Sequence, residues 1–169
     1  MLPVHTKRIG FCMGALAWLG FAVVISNLPA NAATVKVSTK IKYYEINGNT
    51  SKQLRRQMRL KGPGRFAALT RPNLRWGQAC KVTLKITYTY PRWKDQSKAS
   101  AKLREDWKNM MRAMVKHEET HGRHFISAAN EIAGARCKNA KGIFRKWERI
   151  SRLFDRRTNH GIKQGIILP

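Results

Sequence analysis

His117 and His121 stand four residues apart, and Glu118 directly follows the first of them. On a helix that spacing puts both imidazoles on one face, a turn apart, where they can grip a single divalent ion. Glu118 is then angled beside the same place. This arrangement suits amide hydrolysis: a bound zinc ion acidifies a water and polarises the carbonyl, and the neighbouring carboxylate takes the water's proton. The competing reading is a pair of surface histidines on a charged helix face. Glu119 and Arg123 lean that way, because they put charge where many zinc peptidases keep uncharged residues.

A hydrolytic zinc site wants a third protein ligand. His124 follows on the same helix, but it would lie roughly 7 Å along the axis from an ion held between the other two histidines. Ser127 stands where the extended motif H-E-x-x-H-x-x-G-x-x-H needs a further histidine, which excludes that subclass. Glu131 is too far along the helix. The ligand must come from elsewhere, and His160, Glu148 and Asp155 are the candidates. His160 sits in Thr158-Asn159-His160-Gly161, a glycine-flanked turn that can be carried back onto the helix, and imidazole is the commonest remaining ligand type. His160 is the expected third ligand, with a turn histidine of no role as the alternative.

The elements that position these groups show in the periodicity. From Val35 to Ile46, Val35, Val37, Ile41 and Tyr43 alternate with Lys36, Ser38, Lys40 and Lys42, the period of a half-buried strand. Thr50-Ser51-Lys52-Gln53 has capping-box spacing and opens a short basic helix that stops at Gly62-Pro63. Phe66 to Leu69 and Leu74 to Trp76 read as short strands broken by Pro72. Cys80 to Tyr90 alternates over β-branched and aromatic residues until Pro91, which is expected to end the strand. From Ala101 to about Arg136 the period becomes helical, with Leu103, Trp107, Met110 and Met114 on one stripe and Gly122 marking a bend or a close contact. After a break at Cys137-Lys138-Asn139, Ile143, Phe144, Trp147, Ile150 and Phe154 define a second amphipathic helix. The sum is an α+β fold, a small antiparallel sheet followed by two helices, with a zincin-like active-site helix.

Lys7 and Arg8 precede an uncharged run from Ile9 to Ile25, and Ala30-Asn31-Ala32 supplies the small residues a signal peptidase reads. Residues 1–32 are expected to be a signal peptide and residues 33–169 the exported domain, periplasmic or secreted. The alternative is a retained N-terminal membrane anchor, because the run approaches spanning length. In an oxidising compartment Cys80 and Cys137 read as one disulfide. The chain has 34 Lys and Arg against 9 Asp and Glu, a formal net charge of +25. Spread along the whole chain, that charge implies non-specific attraction to anionic lipid or cell wall. No nucleic-acid-reading module is visible, so no specific nucleic-acid partner is expected. The protein is expected to be a monomer.

The chain also resembles a known bacterial family, the predicted secreted zinc-dependent proteases grouped as domain of unknown function 922. The resemblance rests on Tyr43-Tyr44-Glu45-Ile46-x-Gly48-x-Thr50, Gly62-Pro63, Ala68-Leu69-Thr70, Pro91-Arg92-Trp93 and Trp107. It continues through His117-Glu118-x-x-His121 to Asp155-x-x-Thr158-x-His160-Gly161-x-x-Gln164-Gly165. It implies a secreted zinc protease acting on a peptide or protein substrate. From the residues themselves the expectation is the same: His117, His121 and His160 hold Zn2+, and Glu118 is general base and then proton donor to the leaving amine. Two other classes remain open, a non-catalytic envelope protein that binds metal or polyanion, and a zinc amidase acting on cell-wall peptides.

Overall fold

The computed structural model describes residues 34–169; the signal peptide expected over residues 1–32 lies outside them. Strand β1 spans Val35–Ile46, helix α1 Ser51–Lys61, strand β2 Leu69–Trp76 and strand β3 Val82–Trp93. The two long helices follow, α2 over Ala101–Gly134 and α3 over Ala140–Thr158. The class is α+β as expected, with three helices of this kind among the described residues.

The sheet is mixed rather than antiparallel. Its order is β1-β3-β2, with β3 central, antiparallel to β2 and parallel to β1. A parallel pair cannot be joined by a tight turn and needs a crossover; α1 and β2 together supply it. The Thr50 hydroxyl caps α1 by accepting from the Gln53 amide, and Gly62 closes it through a bond to the Met58 carbonyl, so the short basic helix falls where the capping box puts it.

Proline acts differently from the expectation in both later strands. Pro72 lies inside β2, which runs as one edge strand from Leu69 through Trp76, while Phe66 to Ala68, expected to be part of a strand, precede it as loop. Pro91 lies inside β3, where it partners Tyr44 of β1. The pairing with β2 has already ended at Leu69 and Thr89, so on that side no partner strand is left for Pro91 to donate to.

Helix α2, 34 residues long, is capped by the Ser100 hydroxyl accepting from the Leu103 amide and runs unbroken through Gly122. Of the two readings for Gly122, the close contact is the one realised: a Cβ there would fall 2.0 Å from the Tyr88 hydroxyl oxygen. The first half of α2 packs Leu103, Trp107, Met110 and Met114 into a cluster with Leu54, Tyr90 and Trp93. Its last turns pack Phe125, Ala129 and Ile132 against Val82, Leu84 and Ile86 of β3. His117, Glu118 and His121 occupy the stretch between these two clusters.

Cys80 and Cys137 form a disulfide, with Cα atoms 5.6 Å apart and 57 residues of separation. In the chain-entropy picture a loop of this size contributes about 4 kcal/mol. The bridge ties the turn before β3 to the junction of α2 and α3. The chain reverses at that junction through left-handed residues at Arg136, Cys137 and Asn139, which lays α3 back along α2. Among the described residues no helix is long and apolar enough to cross a membrane.

Candidate metal centre

Helical spacing brings His117 and His121 together as expected: their Nε2 atoms are 3.2 Å apart and both side chains are buried. Helix α3 then places Asp155 against them. Its Oδ1 lies 3.1 Å from His117 Nε2 and 3.0 Å from His121 Nε2, which closes a triangle of three donor atoms.

The other ring nitrogens are held from outside the triangle. His117 Nδ1 is 2.7 Å from the Gln164 amide oxygen, and His121 Nδ1 is 2.6 Å from the Ser151 hydroxyl. An amide oxygen only accepts, so His117 carries a proton on Nδ1, and Nε2, the nitrogen facing Asp155, is the one whose lone pair an ion would take. Ser151 and Asp155 are four apart on α3, so one helix face contributes both the hydroxyl behind His121 and the carboxylate in front of it. Phe154 stacks on the His117 ring at 4.8 Å and closes the apolar side.

Three donors spaced 3.0–3.2 Å apart fit a divalent ion. Zinc–nitrogen and zinc–oxygen bonds of about 2.0–2.2 Å imply donor separations of about 3.3 Å in a tetrahedron. The donor set is also chemically apt, since two neutral imidazoles and one carboxylate match a hydrolytic zinc site with one position left open. Two imidazole nitrogens facing one another over a single carboxylate oxygen call for a shared cation or proton.

Electrostatics agree with that demand. Burial alone would raise the Asp155 carboxyl, but the hydrogen bonds from His117 and His121 outweigh it and hold the group well below the usual carboxylate range. Burial works against protonation of His117, yet its bonds to Asp155 and Gln164 lift the imidazole above its ordinary value. Glu118 is pushed up by burial, with the Thr70 hydrogen bond and the two imidazoles acting the other way. Thr70 reaches it from the start of edge strand β2, its hydroxyl 2.6 Å from Glu118 Oε2.

His160 is not part of the triangle. Its Nδ1 lies 3.8 Å from Asp155 Oδ1, its side chain is 58 % exposed, and its ring packs against Phe66. The reason is the turn after α3, where Asn159 and His160 are both left-handed and the His160 amide donates to the Asp155 carbonyl. That reversal carries Gln164 back to the helix and leaves the His160 ring at the mouth of the site. Gly161 is required there, because with φ 82° a side chain would meet Ile166 at 2.2 Å and the His117 ring at 3.3 Å. His124 lies outside the triangle, half-buried beside Phe154 and Trp147, its buried Nδ1 lacking a partner among the described residues. Burial, then the neighbouring His121 and Arg123, holds it below the ordinary imidazole value.

A cleft of about 320 Å³ opens onto the triangle, with Phe66, Ala68, Thr70, Met114, Arg152 and Ile166 among its walls. Three of the supporting residues escape sequence reasoning. Thr70, Ser151 and Gln164 carry no motif, although Ser151 is one turn before Asp155, and Thr70 and Gln164 fall within the family-like runs.

A family model described as bacterial protein of unknown function (DUF922) matches residues 41–161, which takes in every side chain of the site except Gln164 and Ile166. No curated protein and no solved structure matches the chain.

Proposed function

The chain belongs to the bacterial family of unknown function DUF922, and from the centre it carries we propose that it is an exported zinc-dependent peptidase. The observation that supports this most is the triangle of His117 Nε2, His121 Nε2 and Asp155 Oδ1, with the Glu118 carboxylate held beside it. His117, His121 and Asp155 would hold the ion. The geometry favours Asp155 over His160 as third ligand, and it leaves His160 at the rim of the cleft, where it can meet a bound chain.

Bound there, zinc supplies Lewis acidity toward a water and toward the scissile carbonyl. The remaining work belongs to the side chains. Glu118 accepts the proton of the attacking water and passes it to the leaving amine. Burial keeps its carboxyl readily protonated, which suits both halves of that transfer. Thr70 holds Oε2 in place, so the lone pairs of the other oxygen point in a set direction. Gln164 and Ser151 hold each imidazole in the rotation that presents Nε2, and the Gln164 oxygen, which only accepts, also places a proton on His117 Nδ1. Apolar cleft walls at Phe66, Met114 and Ile166 exclude bulk water and receive substrate side chains.

The test is elemental analysis and hydrolysis of an unfolded, labelled protein, measured together. The wild type and Glu118→Gln should each carry one zinc per chain, and only the wild type should cleave. If Glu118→Gln keeps full activity with zinc bound, the assignment of the base is wrong. If the wild type binds zinc and cuts neither protein nor cell-wall peptide, the metal-binding envelope protein is the better reading.

A further inference from the structure

The charge of this protein is not evenly arranged once the chain folds. On the sheet face turned away from α2, strand register lines up Lys36, Thr83 and Arg75 in one row and Ser38, Lys85 and Asn73 in the next. A third row sets Lys40, Thr87 and Arg71 side by side, and Lys42 follows beside Thr89. All six cations are exposed. With strands about 4.8 Å apart and alternate residues about 6.7 Å apart, they form a two-dimensional lattice with hydroxyl and amide groups between them.

No carboxylate answers this lattice. The sequence has no Asp or Glu between Glu45 and Asp95, and Glu45 points to the other face, where it pairs with Lys94 at 2.8 Å. Among the described residues none of the six cations makes an ion pair. Each cation stands opposite a neutral Thr, Ser or Asn, with other cations only on the diagonals and along the strands, and an opposing plane of negative charge would relieve the repulsion that remains among them.

We propose that this open face is the docking surface for an anionic lipid bilayer. The shape selects the partner. A lattice extended across three strands matches a plane of phosphate headgroups, whereas a single polyanionic strand would use one line of it. The face offers no cleft, since neither of the two main pockets includes any of the six cations. It carries no aromatic ring on which a base could stack. Lysines dominate, and they act as point charges toward headgroups. Because α2 and the metal centre lie on the opposite side of the sheet, docking leaves the cleft open. The inference does not depend on the peptidase reading.

The test is amine labelling of the full chain with phosphatidylcholine vesicles and with vesicles that also contain phosphatidylglycerol, read lysine by lysine by mass spectrometry. Comparing the two vesicles cancels any anchoring by the N-terminal run. Lys36, Lys40, Lys42 and Lys85 should label at least fivefold more slowly on the anionic vesicles, the factor that corresponds to about one cation's attraction to such a surface. Lys116 on α2 and Lys163 in the segment after α3, both exposed on the helix side of the molecule, should not change, and added salt should erase the difference. The triple variant K40Q/K42Q/R71Q should abolish the protection of Lys36 and Lys85, whereas K141Q/R145Q/R149Q should keep it. Equal protection of all lysines, or an equal effect of the two triple variants, would show diffuse charge and overturn the proposal. So would no difference between the two vesicles. Protection of the same lysines by inorganic phosphate or duplex DNA as strongly as by vesicles would assign the face to free phosphate or a soluble polyanion and overturn it too.

Discussion

The Thr70 hydroxyl lies 2.6 Å from Glu118 Oε2 and 3.0 Å from the Glu118 backbone carbonyl, so the start of the edge strand and the middle of the long helix meet at the carboxylate proposed as base. Among the described residues Thr70 hydrogen-bonds to Glu118 and to none of the three ligand atoms. Its part is to fix which way the carboxylate faces.

Thr70→Val keeps the shape of the side chain and removes the donor. A hydrogen bond to a charged acceptor is worth about 1.5–3 kcal/mol, so kcat should fall by roughly tenfold or more while zinc content stays at that of the wild type. Thr70→Ser should restore most of the loss. Parallel loss of zinc and activity in Thr70→Val would mean that the residue supports the fold of the site rather than Glu118.

Asp155 and His160 compete for the role of third ligand, and their substitutions separate them. Asp155→Ala removes one of three donors and should strip zinc at concentrations that saturate the wild type. His160→Ala should leave zinc affinity within a few-fold of normal and change KM more than kcat. Competition with a chromophoric chelator reads both affinities. The reverse ranking would return His160 to the ligand set.

The groups behind the histidines should show up as affinity without being ligands. Partners that orient a ligating imidazole typically contribute 10- to 100-fold in metal affinity. Gln164→Ala and Ser151→Ala should each weaken zinc binding by about that factor, with the stoichiometry at saturation unchanged. An unchanged affinity in both would sink the claim that these bonds orient the two imidazoles.

Gly122 tests how tightly the helix is pressed onto the sheet. A methyl at this position would overlap the Tyr88 hydroxyl at 2.0 Å and approach its ring at 3.1 Å. Gly122→Ala should therefore cost about 1–3 kcal/mol of stability by denaturant titration. Adding Tyr88→Phe should recover most of it, a coupling that a merely local helix effect would not produce.

Legibility divided along physical lines. The spacing of His117, Glu118 and His121 is local: four residues on one helix settle which side chains share a face, whatever surrounds them. The same holds for the capping box at Thr50, for the alternation in β1 and β3, and for the helical stripe through Met110 and Met114. Cysteine pairing was legible for a different reason, since the described chain has only Cys80 and Cys137 to join. The strand pairing was not legible, because alternation states which residues face a core and not which strand lies beside which. Only the position of β3 between the other two made the sheet mixed and let Pro91 remain within it. The third corner of the candidate metal triangle also depended on tertiary structure. Asp155, Glu148 and His160 are similarly distant from the motif in sequence, and their order of merit follows from how α3 packs on α2 and how Asn159 and His160 turn the chain. A left-handed turn that brings Gln164 to His117 necessarily sends the His160 ring outward. Composition recorded a surplus of positive charge, but its gathering onto one sheet face exists only once three strands lie in register. Chemistry carried by neighbours along the chain was determined by the sequence itself; chemistry assembled across elements waited on the fold.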